Sequence, residues 1–137
     1  MKWHDFTHAV GAAAAILSER ELLVIGSQAI HGSFNDDTLP AEALESAEIA
    51  VAALDDPDDR KSHVVSGAIG EGSPFHEAFG IFVDGVSIST ANAPPGWRDR
   101  LVRVTEPSLA GAVALCLEPC PRQRPAIRER VAACTPH

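Results

Sequence analysis

Residues Glu21–Gly32 read ELLVIGSQAIHG. Four apolar residues, Leu22 to Ile25, run straight into Gly26-Ser27, and a run of small and apolar residues follows. That order predicts a short buried strand, a tight glycine turn and the first turn of a helix over Gln28–His31, ended by Gly32. A backbone that turns from strand to helix leaves unpaired N–H groups at the helix start. With the helix dipole, those groups suit a phosphate or another anion. A single Gly-Ser also stands at many plain strand–turn–helix junctions. The rest of the chain must therefore supply partners before Gly26 and Ser27 count as a binding site.

On the N-terminal side, Phe6, Val10, Ala13, Ala14 and Leu17 recur at helical spacing and predict a helix over Asp5–Ser18. His4 and His8 lie one turn apart on it without a third ligand nearby, which reads as surface histidines. On the other side, Ser33–Pro40 (SFNDDTLP) is a loop by composition, with Asp36 and Asp37 read as solvated. Ala41–Leu44 is a helical turn. Ala47–Leu54 (AEIAVAAL) reads as a strand with Glu48, Ala50, Ala52 and Leu54 on one face, and its alanine content leaves helix open. Asp55–Asp59 is a turn that caps a helix over Arg60–Ile69, and Gly70–Pro74 ends that helix.

Beyond it, GEGSPFHEAFG reads as a loop stiffened by Gly70, Gly72 and Pro74. His76-Glu77 within it suits acid–base work and equally a structural hydrogen bond. Phe79–Ser89 reads as a strand or hairpin, Asn92–Trp97 as a rigid loop, and Leu101–Thr105 and Ala112–Leu117 as β-compatible. Arg98 and Arg100 suit a phosphate or RNA backbone, or a surface pair with Asp99 or Glu106.

The chain of 137 residues is one domain by length, long enough to bury a core. Its net charge of −8 argues against a broad basic surface for nucleic acid. Three cysteines (Cys116, Cys120, Cys134) without CxxC spacing make neither a disulfide framework nor a zinc signature. The start MKWHDFTHAV lacks a signal-peptide hydrophobic stretch. No apolar run approaches the roughly 20 residues that span a bilayer. These features predict a cytoplasmic protein with no membrane contact.

Several blocks together resemble one family: VIGSQAIHGSF, Ser46-Ala47-Glu48, GAIGEGSPFHEAFG, GV-x-x-x-TA and PGWRDRLV. They are similar to the small bacterial nucleotidyltransferase-like proteins of the DUF6036 type. Those are distant relatives of the polymerase-β nucleotidyltransferases and of the nucleotidyltransferase-like toxins of toxin–antitoxin pairs. The resemblance covers Asp5 to Pro119, with Gly67–Gly80 its most specific block. It implies a compact α/β (α+β) fold, a short mixed sheet flanked by helices, as a domain over residues 1–119. It also implies that the Gly26-Ser27 turn holds the triphosphate of an NTP substrate. The next strand would present two carboxylates at alternate positions, and a later strand a third. Glu48 and Asp84 would then be catalytic and hold Mg²⁺ against the phosphates. The acceptor would be RNA or protein, and a cognate antitoxin the partner.

The chain departs from that pattern at several positions. Ala50 stands where the second carboxylate is expected. The third position falls on Asp84 or on Ser87, and His63 and Ser66 stand where acids are expected. After Cys116-Leu117-Glu118-Pro119, residues 120–137 (CPRQRPAIRERVAACTPH) leave the pattern, with Ala126–Ala133 at most a loose helix. Their Arg, Pro, Ala and Cys enrichment is what a shifted reading frame yields. Three readings stand: a nucleotidyltransferase using Mg²⁺, a degenerate nucleotide-binding or partner-binding module, and a truncated or frameshifted nonfunctional product.

Overall fold

The computed structural model describes residues 1–91, 95–109, 111–117 and 129–131. The protein is a small α+β domain. Helix α1 (Trp3–Leu17) leads into β1 (Glu21–Ile25), and a six-residue 3₁₀ helix follows over Ser27–Gly32. Then come α2 (Ala41–Glu45), β2 (Glu48–Ala53), α3 (Arg60–Ile69), α4 (Pro74–Phe79) and β3 (Phe82–Gly85). The chain closes with β4 (Leu101–Thr105), β5 (Val113–Leu117) and β6 (Glu129–Val131).

The strands form one mixed sheet in the order β3-β2-β1-β5-β4-β6. β2 runs antiparallel to β1, and β3 parallel to β2. β5 runs parallel to β1, β4 antiparallel to β5, and β6 parallel to β4. Alternation along the strands then divides the sheet into two faces. Leu22, Val24, Ile49, Val51, Val83, Val102 and Cys116 point to the face covered by α1 and α3, through Phe6, Val10, Ala13, Val65 and Ile69. Leu23, Ile25, Ala52 and Leu115 point the other way. That second face is covered by Val86, Ile88 and Trp97 rather than by a long helix. With β1 buried on both faces, its unbroken apolar run is accounted for.

Two of the helices begin at carboxylates that lie outside the helix and its N-cap residue. α1 starts at Trp3, two residues before the sequence expectation, because its backbone N–H is met by the Asp36 carboxylate at 3.0 and 3.1 Å. Asp36, read from composition as a solvated loop residue, is therefore a bonded one. α3 has Asp59 before it, with φ at 58° and no capping bond from its own side chain. Asp56 does the capping instead, accepting from Lys61 N at 2.9 Å and Ser62 N at 3.0 Å.

Partial burial pushes the Asp56 carboxyl up. The N–H groups of Lys61 and Ser62, the Ser62 side chain and the Lys61 charge outweigh it, and its pKa lies below the usual value. A lowered carboxylate contributes stability above its unfolded pKa and loses it as pH falls through the folded one. Asp56→Ala is expected to cost about 1 kcal/mol at neutral pH. In urea denaturation the gap between the two proteins should close as pH falls below about 4.

Two further expectations change and one is narrowed. Residues 74–79 are a helix rather than a loop: Ser73 accepts from His76 N at 3.2 Å, Pro74 occupies the first turn, and Gly80 ends it at φ 74°. Of the strand or hairpin expected over Phe79–Ser89, the strand is present, as β3. Glu129–Val131 pairs with β4 as a strand, within a tail expected to be poorly packed and at most loosely helical. The rest of 120–137, with Cys120 and Cys134, lies outside the described residues, as do Asn92–Pro94 of the expected rigid loop. No helix among the described residues is long and apolar enough to cross a membrane.

Candidate functional site

The Gly26-Ser27 turn begins where β1 leaves the sheet. Gly26 has φ 79° and ψ −160°, a region open essentially to glycine alone. An added Cβ there would meet nothing within 4 Å, so the requirement is conformational rather than steric. Gly26→Ala is expected to cost about 2 kcal/mol through backbone strain, read as a shift of the urea midpoint with an unchanged slope.

Ser27 then opens a 3₁₀ helix, closed first by Ala29 N donating to Gly26 O at 3.2 Å. The expected helical turn is thus present in its tighter form. Its far end is pressed into the core: a Cβ on Gly32 would lie 2.8 Å from the Cys116 Cβ. Six residues of 3₁₀ helix carry a smaller aligned dipole than a long α-helix. An anion here would rely on the turn itself, where Gly26 and Ser27 are both exposed.

The sheet register decides what lies beside the turn. Ile25, the residue before Gly26, sits opposite Ala50, and Ala50 sits opposite Asp84 on its other side. Glu48 lies two residues from Ala50 along β2 and opposite Phe82. Residues opposite each other share a face, as do residues two apart. Glu48, Ala50 and Asp84 therefore lie on the face of Leu23 and Ile25, away from α1 and α3. Glu48 and Asp84 are exposed and Ala50 is half-buried. Strand geometry puts the Glu48 and Asp84 backbones diagonally about 8 Å apart.

Sequence reasoning left two candidates for the third carboxylate position. Asp84 lies within β3, opposite Ala50, whereas Ser87 lies beyond the end of β3, its hydroxyl 2.9 Å from that of Ser89. His63 and Ser66 lie on α3, on the other side of the sheet. Ser66 Oγ accepts from Gly85 N at 2.8 Å, so it fixes β3 to α3. His76 is also structural: its Nδ1 accepts from Gly72 N at 3.0 Å and its ring packs 4.7 Å from that of Phe82.

The two-metal arrangement that the family resemblance implies does not fit these donors. Ala50 offers no oxygen at the middle of the row. Among the described residues no group of three or more His, Cys, Asp or Glu side chains is placed to hold a metal ion. Mg²⁺ demands near-octahedral oxygen coordination, and two exposed carboxylates on a sheet diagonal supply little of it.

The arginines take roles that the sequence did not indicate. Arg98 lies over the Trp97 ring, 4.6 Å from its centroid, Arg100 donates to Pro95 O at 3.2 Å, and Arg103 pairs with Glu21 at 2.9 Å. His8 packs edge-on to Phe79 at 4.5 Å, so it belongs to an aromatic cluster rather than to open surface. Cys116 is fully buried, in line with an inert thiol.

No protein-family model matches the chain, and neither a curated protein nor a solved structure matches it.

Proposed function

We propose that this chain is a nucleotidyltransferase-like domain that binds a nucleoside triphosphate at the Gly26-Ser27 turn and has an incomplete carboxylate set. The observation that carries this reading is the row Ile25–Ala50–Asp84. The turn-bearing strand, the strand with Glu48 and the strand with Asp84 are adjacent, the arrangement that the family resemblance implies. The middle position of that row is an alanine. A donor turn next to a depleted metal site supports binding more than turnover. An active transferase, with Mg²⁺, an RNA or protein acceptor and an antitoxin partner, draws support from the shared exposed face of Glu48 and Asp84.

Thermal shift and label transfer separate the two. Each NTP is titrated in EDTA, and binding to the folded state alone raises the melting temperature in proportion to RT ln(1 + [L]/Kd). The expected result is a concentration-dependent rise with at least one NTP. Radiolabelled NTPs with Mg²⁺ or Mn²⁺ should leave no label on RNA or protein. No shift with any NTP up to about 100 times a micromolar Kd would overturn nucleotide binding. Label on an acceptor would establish the transferase instead.

A further inference from the structure

A buried polar chain runs inward from the turn, and no part of it was evident from the sequence. Gln28 and His31, both on the 3₁₀ helix, are 1% and 0% exposed. His31 Nε2 lies 2.8 Å from Met1 O and 3.1 Å from Gln28 Oε1. Gln28 Nε2 donates to Ala43 O at 3.4 Å and to Ser27 Oγ at 3.4 Å.

The chemistry of these partners sets the direction of every bond. Ala43 O and Met1 O are carbonyl oxygens and only accept. The nitrogen end of the Gln28 amide must therefore face Ala43, and its oxygen end must face His31. His31 Nε2 then meets two acceptors, so that nitrogen carries a proton. The outward consequence falls on Ser27. Its Oγ receives a hydrogen from Gln28, and among the described residues no acceptor takes its own hydrogen.

We infer that Gln28, oriented by His31, is a positioning residue that makes the Ser27 hydroxyl an outward-facing donor for a phosphoryl oxygen. The inference rests on the proposed nucleotide site and deepens it. The turn selects an anion whose oxygens are acceptors only, the terminal phosphates of an NTP. Without the Gln28 donor, the Ser27 hydroxyl is free to turn inward and offer lone pairs instead, which repel such an oxygen. A hydrogen bond to a charged group contributes enough for about a tenfold change in affinity.

The test is a double-mutant cycle with ATP as the probe, read by calorimetry in EDTA, with the melting temperature recorded for each variant. Ser27→Ala should weaken ATP binding about tenfold, and Ser27→Thr, which keeps the hydroxyl, should retain it. In a Gln28→Glu background the carboxylate still accepts from His31 but cannot donate to Ser27. The Ser27 hydroxyl then turns towards that carboxylate, and Ser27→Ala should change affinity by less than about twofold. Should Gln28→Glu fail to fold, Gln28→Met carries the same test, with the Ser27 effect reduced to about threefold. A full Ser27 effect in both backgrounds overturns the positioning role while leaving the nucleotide site standing. A wild-type protein that binds no ATP but shifts with another NTP moves the cycle to that NTP. A wild-type protein that binds no NTP overturns the site and the inference together. A purely structural Gln28 would lower melting temperature without changing the Ser27 effect.

Discussion

Gly85→Ala is expected to cost about 3 kcal/mol or more, the upper range for forcing extra volume into a packed interface. Gly85 ends β3 where α3 crosses it. A Cβ at this position would lie 2.2 Å from the Ser62 carbonyl oxygen and 2.9 Å from its carbonyl carbon and Cα. These are backbone atoms of a helix, so no side-chain rotation relieves the clash. Relief requires α3 to move away from the sheet. That movement would stretch the bond from Gly85 N to Ser66 Oγ, now 2.8 Å, and open the contact of Val65 with the core. Ser66→Ala separates the two contributions, because it removes the bond without the clash and should cost about 1 kcal/mol. Urea denaturation of both variants is the check. A loss below about 1 kcal/mol for Gly85→Ala would mean that helix and strand are not in backbone contact. The same variant should also disturb the candidate site, since Asp84 immediately precedes Gly85 and its place opposite Ala50 depends on β3 staying in register.

The apolar runs carried the sheet. Leu22–Ile25, Leu101–Thr105 and Ala112–Leu117 were legible as strands because each buries nearly every residue or every second one. The strand at Glu48–Ala53 was legible from alternation, even with three alanines in it. Helix α4 was missed although its punctuation is present as Ser73-Pro74 and Gly80. Six residues are too few to show an apolar period, and the glycines around them outweighed the cap signal.

Other features depended on contacts remote in sequence. Asp36 meets Trp3 across 33 positions, and Gln28 and His31 meet Ala43 and Met1. Nothing local marks these residues as buried or bonded. The candidate site divides the same way. Gly26, Ser27, Glu48 and Asp84 were singled out from residue type and resemblance alone, and the sheet adds only where each of them stands. That Asp84, and not Ser87, lies opposite Ala50 follows from the pairing of β2 with β3, which only the folded sheet defines.

That pairing makes Ala50→Asp the variant with the largest expected gain. A carboxylate at position 50 would stand between Ile25 and Asp84, on the face that carries Glu48. Three carboxylates would then converge beside the Gly26-Ser27 turn. Two of them would be cross-strand neighbours about 5 Å apart, where like charges repel. In EDTA the variant should therefore be less stable than the parent, by up to about 1 kcal/mol at low salt. Mg²⁺ or Mn²⁺ should restore that loss, because the cation neutralises the cluster and bridges it to phosphate oxygens. NTP affinity should rise about tenfold with metal present and fall in EDTA, where the added carboxylate repels the phosphates. The direction of the metal effect is the diagnostic: the parent should show little, since Ala50 has no oxygen to offer. Adding Asp84→Asn to Ala50→Asp should abolish the gain if Asp84 is the third ligand. A metal-dependent gain that survives Asp84→Asn would move the third ligand elsewhere. Absence of any gain in Ala50→Asp would show that the row Ile25–Ala50–Asp84 does not border a nucleotide at all.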